Sequence, residues 1–194
     1  MSGTRRSHRL AAVDDRIRAS PVRPPPPPWR HAGTFKVGGL TSVGFDDGSD
    51  VLLVVSALGR GVFDCLTGDR LARDRNLPHP VTEEWDDPFT LEAPGIGPLA
   101  GRRVRISGLY GGGLPHMTRD GWQAERLVLD WPDETLVLTS PGSSVFGGPP
   151  GRPAVVTKVA VQPEVRAWGF SSTGRSLVLA SSSELTIYCR VTGT

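Results

Sequence analysis

Short apolar runs separated by glycine, proline or small polar residues recur along most of this chain. Two of them, "VLLVVS" at 51–56 and "SLVLAS" at 176–181, are each preceded by a turn-like stretch, "DDGSD" or "SSTGR". Runs of this length, bounded by turn residues, are typical of β-strands in tight hairpins. The chain has 24 glycines and 18 prolines among its 194 residues, which favours many short strands over long helices. The pattern therefore predicts an all-β fold.

The chain contains two similar stretches, Ser42–Asp69 and Ala167–Thr194, which align without a gap. Both contain a Gly-Phe pair, an apolar run, a serine, a second apolar run and a Thr-Gly pair, in that order. Each stretch predicts a strand, a polar turn, a second strand, a short turn and a third strand. Phe45 and Phe170 occupy equivalent positions, and we expect both rings to lie in the core.

Ala167 follows Ser42 by 125 positions, which is about three times 42 and close to the roughly 40–45 residues of a four-stranded propeller blade. Weaker matches fall between the two stretches, at 127–142 and 102–113. With their "GFDDGSDVLLVVS" and "GFSSTGRSLVLAS" hairpins and terminal "TGD" and "TGT", the outer copies resemble the repeats of WD40 and related β-propeller proteins. They lack the Gly-His start and the Trp-Asp end of WD40 repeats.

This resemblance implies a small propeller-like array of about four short antiparallel sheets. A β-sandwich that shares the same hairpin pattern is the alternative. The last repeat ends after its third strand, so the segment at 34–39, "TFKVGG", is expected to supply a further strand and cover the exposed edge.

The first 30 residues differ in composition from the rest. They hold seven arginines and two aspartates, and they include a run of prolines at 24–28 that favours a polyproline II spacer. A short helix over 9–19 would have little apolar surface to bury. The sequence therefore predicts a disordered Arg/Pro-rich tail at 1–30, and a single all-β domain at 31–194 whose fold begins near 31–34.

Location and origin follow from composition. No apolar run reaches the roughly 18 residues of a membrane span, and no apolar segment follows the first charges as in a secretory signal, so we expect a cytoplasmic protein without a membrane partner. All but two of the 22 basic residues are arginine, which indicates a high-G+C bacterial gene. Cys65 and Cys189 fall one position out of register in the overlay, and two free thiols are expected.

The stretch Gly108–Trp122, "GLYGGGLPHMTRDGW", is the best candidate for a binding site. Its three consecutive glycines allow close backbone approach, and aromatic and arginine side chains are typical of recognition surfaces. A long hairpin loop without a ligand is the alternative. The candidate binding residues are Tyr110, His116, Arg119, Asp120 and Trp122.

Signatures of catalysis are weak. The glycines lack both the Gly-Lys-Ser/Thr ending of a phosphate loop and the context of a dinucleotide site, and no Gly-x-Ser-x-Gly elbow is present. His79 beside the acidic loop 83–87 matches no metal-ligand spacing. We expect no cofactor and no metal.

The favoured hypothesis is a non-catalytic protein-binding module that uses the loops of a small propeller-like domain. The alternative is a metal-assisted hydrolase using His79, His116 and the acidic loop 83–87. Weak nucleic-acid binding through the N-terminal arginines and homo-oligomer formation are further hypotheses.

Overall fold

The computed structural model describes residues 2–75, 90–148 and 154–191, and side chains from residue 11 onward. Within these ranges the chain forms one α-helix and fourteen strands, with a 3-10 turn at Gly97–Leu99. The elements are α1 (Ser2–Ala19), β1 (Trp29–Lys36), β2 (Leu40–Phe45), β3 (Val51–Ser56), β4 (Gly59–Asp64), β5 (Arg70–Asp74), β6 (Glu92–Pro94), β7 (Arg103–Arg105), β8 (Ser107–Gly108), β9 (Gln123–Asp130), β10 (Asp133–Thr139), β11 (Val156–Pro163), β12 (Val165–Phe170), β13 (Ser176–Ser181) and β14 (Glu184–Arg190).

The fold is all-β, and the strands form four sheets in which every pairing is antiparallel. The first sheet has the order β5-β4-β3-β2-β8, and the second sheet consists of β6 and β7. The third sheet has the order β11-β10-β9, and the fourth has the order β1-β14-β13-β12. The predicted class and number of sheets are confirmed.

The two aligned stretches form matching three-stranded meanders, β2–β4 and β12–β14. Their strands begin at Leu40 and Val165, and both first strands contain a register shift at the second residue. The short turns also match, because the Oγ atoms of Ser56 and Ser181 each bond the carbonyl oxygen three residues later. Phe170 is fully buried, whereas Phe45 is only partly buried at the edge of the core.

The weaker matches fold differently. Residues 127–142 cover the end of β9 and all of β10, which pair as a hairpin. Residues 102–113 are divided between two sheets, since β7 pairs with β6 while β8 joins β2. β8 can lie this close to β2 because residue 108 is glycine. A Cβ added at Gly108 would lie 2.1 Å from the carbonyl oxygen of Thr41.

The sheets and the helix are stacked as layers, in the order second sheet, first sheet, fourth sheet, third sheet and α1. One apolar cluster lies between each layer and the next. Alternate residues of β3 show the arrangement, since Leu53 packs against the second sheet and Val54 against the fourth. Because β3 and β13 are covered on both faces, their apolar runs are continuous rather than alternating.

The N-terminal strand β1 pairs antiparallel with β14 along the outer edge of the fourth sheet. Thr34, Phe35 and Lys36 lie opposite Thr186, Leu185 and Glu184, so the expected coverage of this edge by the segment beginning at residue 34 is confirmed. The strand begins earlier than predicted, at Trp29, whose side chain is only 3% exposed and belongs to the cluster between the fourth and third sheets.

Within residues 1–30, which the sequence predicts to be a disordered Arg/Pro-rich tail, residues 13–23 contact the third sheet. Val13 and Ile17, one helical turn apart, are buried against Val137 and Val145. The N–H of Arg23 then bonds the carbonyl oxygen of Lys158 on β11. The apolar face of α1 is small, but it lies over a sheet face that would otherwise be exposed.

Candidate functional site

The loop from residue 108 to residue 122 links β8 to β9 and is fixed to three sheets. The N–H of Leu109 donates to Thr41 of the first sheet at 2.9 Å, and Pro115 accepts from the N–H of Phe170 in the fourth sheet at 2.7 Å. The carbonyl oxygen of His116 accepts from Ala124 of the third sheet at 2.9 Å. The loop therefore follows a defined path across the array.

Two of the three consecutive glycines are required by the turn itself. Gly111 and Gly112 have φ angles of 117° and 83°, in the region that favours glycine. A Cβ on Gly112 would lie 2.7 Å from the carbonyl oxygen of Ile106. The close approach predicted for these glycines therefore occurs within the chain and at Gly112 alone, since Gly111 and Gly113 both face open space.

The loop exposes apolar side chains at two places, Leu109 and Tyr110 at its turn and Met117, which is 61% exposed, farther along. Tyr110 is 53% exposed and Leu109 is 50% exposed. Arg119 is also exposed. Tyr110 and Arg119 are thus accessible, and Leu109, which has no distinguishing signal in the sequence, is an exposed apolar neighbour of Tyr110.

Trp122 is not accessible, which corrects its prediction as a binding residue. Its side chain is 6% exposed, and its ring meets that of Trp29 edge-on with 6.0 Å between centroids. The sequence pattern assigns Trp29 to the predicted tail and therefore gives no sign that it packs against Trp122. Trp122 is a core residue at the base of the loop.

Asp120 fastens the loop to the end of β14. Its two carboxylate oxygens accept hydrogen bonds from the Arg190 guanidinium, both at 2.8 Å, and one also accepts from the Thr118 hydroxyl at 2.7 Å. These bonds, those of Arg190 above all, hold the pKa of Asp120 below its usual range. The Arg190 guanidinium also lies 4.8 Å from the centre of the Trp29 ring. Asp120 is therefore committed to intramolecular contacts.

His116 lies on a different part of the surface, where its ring stacks on Trp168 with 4.6 Å between centroids. The Arg126 guanidinium lies 4.5 Å from the centre of the same indole. Partial burial and, to a lesser extent, the charge of Arg126 lower the pKa of His116. His116 is thus a neutral stacking residue near pH 7.

A cleft of about 470 Å³ opens beside the loop, and Gly113, Leu114 and Pro115 form one of its walls. Four of its six charged groups form ion pairs, Arg102 with Asp46 at 2.8 Å and Arg103 with Glu92 at 3.0 Å. The sequence pattern does not predict this cleft, because the cleft is formed by segments from the first, second and fourth sheets. The only local signal is the basic "RRVR" at 102–105.

The predicted site residues do not converge on one centre. No hydrogen bond joins His116 to Asp120 in the part of the chain that the structure describes. His79 and the acidic loop 83–87 lie outside the described residues. Within residues 2–75, 90–148 and 154–191, no group of three or more His, Cys, Asp or Glu side chains is placed to hold a metal ion.

None of the helices in the described ranges combines the length and the apolar character needed to cross a bilayer. No family model, curated protein or solved structure matches the chain.

Proposed function

We propose that this chain is a non-catalytic protein-binding module, built as a small propeller-like array and using the loop at 108–122 and the cleft beside it. The observation that carries the proposal is the exposure of Leu109 and Tyr110 on a turn whose path is fixed by backbone hydrogen bonds. A preordered loop loses little conformational entropy on binding, and tyrosine is enriched among the residues that dominate interface energies.

The packing of the two matching meanders supports the propeller-like architecture. Leu53 and Val178 are equivalent positions; Leu53 faces the second sheet and Val178 faces the first. On the opposite faces of the same strands, Leu52 packs toward the fourth sheet and its equivalent Leu177 packs toward the third. Successive sheets thus meet front to back in the same sense, as propeller blades do, and an internal duplication accounts for this relationship.

The cleft beside the loop offers a second contact zone for the same partner. Its volume of about 470 Å³ lies within the roughly 300–1,000 Å³ typical of ligand pockets. Its paired arginines and carboxylates suit a peptide that carries charges of both signs. We therefore propose that a segment of the protein partner inserts into this cleft, and that Tyr110 and Leu109 pack against the partner beside it.

A cytoplasmic setting fits this role. Cys65 and Cys189 are both free, and free thiols persist in reducing compartments. A bacterial origin, inferred from the arginine bias, fits the same setting.

A capture experiment with matched variants tests the proposal. The wild-type protein is immobilised and exposed to lysate from its native cells, and bound proteins are identified by mass spectrometry. A Leu109→Ser, Tyr110→Ala variant is compared with a Val128→Ser, Trp131→Ala control, which alters apolar side chains that are 55% and 83% exposed on another hairpin. We expect the loop variant to lose the partner and the control to keep it.

Calorimetry with the purified partner makes the comparison quantitative. Loss of an interface hot spot weakens binding by about 30-fold or more, so the loop variant should show at least that change, with an unaltered melting temperature. Equal affinity of the wild type and the loop variant would contradict the proposal, as would loss of binding in the control alone.

A further inference from the structure

A second cleft, away from the loop, lies where the end of β1 passes over the outer strands of the first sheet. Its volume is about 90 Å³. Gly61 and Phe63 form part of its lining, and Lys36, Arg70 and Arg73 contribute its basic groups. We call these five residues the basic cleft.

A β-bulge places both arginines on the same face of β5. Arg70 lies opposite Phe63 and Arg73 lies opposite Gly61, although three positions separate the arginines and two separate their partners. The extra residue that the bulge inserts into β5 shifts the alternation of its side chains by one position. Both arginines therefore point to the face of the sheet that Phe63 occupies. Without the bulge, residues three apart on a strand would face opposite sides.

The charge around the basic cleft is positive. Lys36 pairs with Glu184, and Arg60 pairs with Asp74 at 2.8 Å. Among the described residues, no carboxylate lies within ion-pair distance of Arg70 or Arg73. With Arg60, which also lines the cleft, the four cations and the two carboxylates of Asp74 and Glu184 leave a net charge of +2.

The crowding of like charges acts directly on one member of the basic cleft. Partial desolvation, together with the neighbouring charges of Arg75 and Arg70, lowers the pKa of Arg73. The guanidinium remains protonated near pH 7 because its ordinary pKa is above 12. A bound anion would relieve this repulsion.

The size of the basic cleft limits what can enter it. Its volume of about 90 Å³ has room for a few water molecules, but it is well below the roughly 300–1,000 Å³ of pockets that enclose a whole drug-sized ligand. A tetrahedral oxyanion fits this space, with the rest of its molecule outside. Guanidinium groups match such an anion because they donate paired, charge-assisted hydrogen bonds.

We propose that the basic cleft binds the phosphate group of a small phosphorylated molecule, held between Arg70 and Arg73 with Lys36 at the rim. The site shares no residue with the loop at 108–122. Failure of either proposal therefore leaves the other standing.

Calorimetric titration with inorganic phosphate and with adenosine monophosphate tests the assignment, at 150 mM salt so that long-range attraction is screened. We expect saturable one-to-one binding of phosphate. An Arg70→Gln, Arg73→Gln variant should bind about tenfold or more weakly, since each substitution removes a charged hydrogen-bond donor. The matched control, Arg23→Gln with Arg175→Gln, loses the same net charge from exposed positions outside both proposed sites and should bind as the wild type does.

The two probes also distinguish the source of the phosphate. Equal affinities support recognition of the phosphate alone, and tighter binding of the nucleotide supports recognition of a nucleotide phosphate. Unsaturable binding, or an equal loss in the cleft variant and the control, overturns the proposal. A ten-residue oligothymidylate that binds more tightly than both probes, and loses this binding in the cleft variant, would overturn the assignment to a small molecule.

Discussion

The buried carboxylate of Asp50 accepts a 2.7 Å hydrogen bond from the hydroxyl of Ser176, a residue 126 positions later in the chain. The hydroxyls of Ser171 and Thr173 donate to the same oxygen, at 2.7 and 2.8 Å. This carboxylate in the first meander therefore organises the equivalent turn of the second. The contact joins the first and fourth sheets at the point where their polar turns meet.

Replacing Asp50 should destabilise the fold, because Asp50→Ala leaves the buried hydroxyls of Ser171 and Ser176 without their acceptor. Hydrogen bonds to charged groups contribute about 1.5–3 kcal/mol each, and since they are not additive we expect a loss of about 3 kcal/mol in the free energy of unfolding. Urea denaturation measures it. Asp47→Ala, in the same turn but exposed, should change the stability by less than about 0.5 kcal/mol. Equal midpoints for the two variants would contradict this role.

The N-terminal helix should contribute measurably to stability. Val13→Ala removes a buried side chain from the contact between α1 and the third sheet, and it should cost about 2 kcal/mol. Val22→Ala makes the same chemical change at a side chain that is 52% exposed and should be nearly neutral. Thermal denaturation of the two variants provides the test. If both variants have the melting temperature of the wild type, α1 does not stabilise the β-sheets.

The tryptophan and tyrosine of the loop should behave differently on truncation. Trp122→Ala opens a cavity beside Trp29 and should lower the free energy of unfolding by about 3–5 kcal/mol. Tyr110→Ala removes a half-exposed ring and should leave stability almost unchanged. Chemical denaturation of both variants distinguishes the core residue from the surface residue.

The ion pair of Asp120 and Arg190 predicts a pH-dependent contribution to stability. Because the pKa of Asp120 is depressed in the folded state, its contribution is complete above the unfolded-state pKa of about 3.9 and declines as the pH falls below it. The Asp120 side chain is 54% exposed, so Asp120→Asn should cost no more than about 1 kcal/mol at pH 7. The difference from the wild type should shrink between pH 4 and pH 2, measured by urea denaturation. A constant difference over that range would contradict the linkage.

Both thiols should be unreactive in the folded protein. Burial raises the pKa of Cys65 well above its ordinary value, and burial also raises that of Cys189. Since the thiolate is the reactive form, iodoacetamide at pH 8 should modify neither residue in the native state. Both should be modified once the chain is unfolded without reductant, which mass spectrometry can verify. Rapid labelling of the native protein would contradict the burial of these side chains.

The hairpins were predictable because their information is local. A short apolar run and the polar turn before it determine a strand that pairs with its neighbours in the chain. This holds for the run at 51–56 and for its counterpart at 176–181. Trp29 was missed because five prolines precede it, and its burial depends on Trp122, far along the chain. Val13 and Ile17 are too few to signal a packed helix on their own, and the surface that covers them is formed by β10 and the segment after it.

The candidate binding surfaces were only partly predictable for the same reason. Exposure of Tyr110 and Arg119 was correctly expected from their loop, whereas the burial of Trp122 depends on tertiary packing. Apart from the basic "RRVR" at 102–105, neither cleft has a sequence signature, because each forms where segments from different sheets meet. The bulge that aligns Arg70 with Arg73 is likewise a property of the pairing between β4 and β5 rather than of "RLARD" itself.

The pairing of β1 with β14 imposes an order on biosynthesis. The ribosome produces Trp29–Lys36 long before the strand at Glu184–Arg190 that pairs with it, so β1 lacks this partner until β14 has been synthesised. Trp29 and Phe35, whose neighbours include residues of the fourth sheet, remain exposed to other chains during this interval. The arginines and prolines that precede β1 disfavour intermolecular strand pairing. The early segment can therefore remain soluble on the nascent chain until the last strand of the domain emerges.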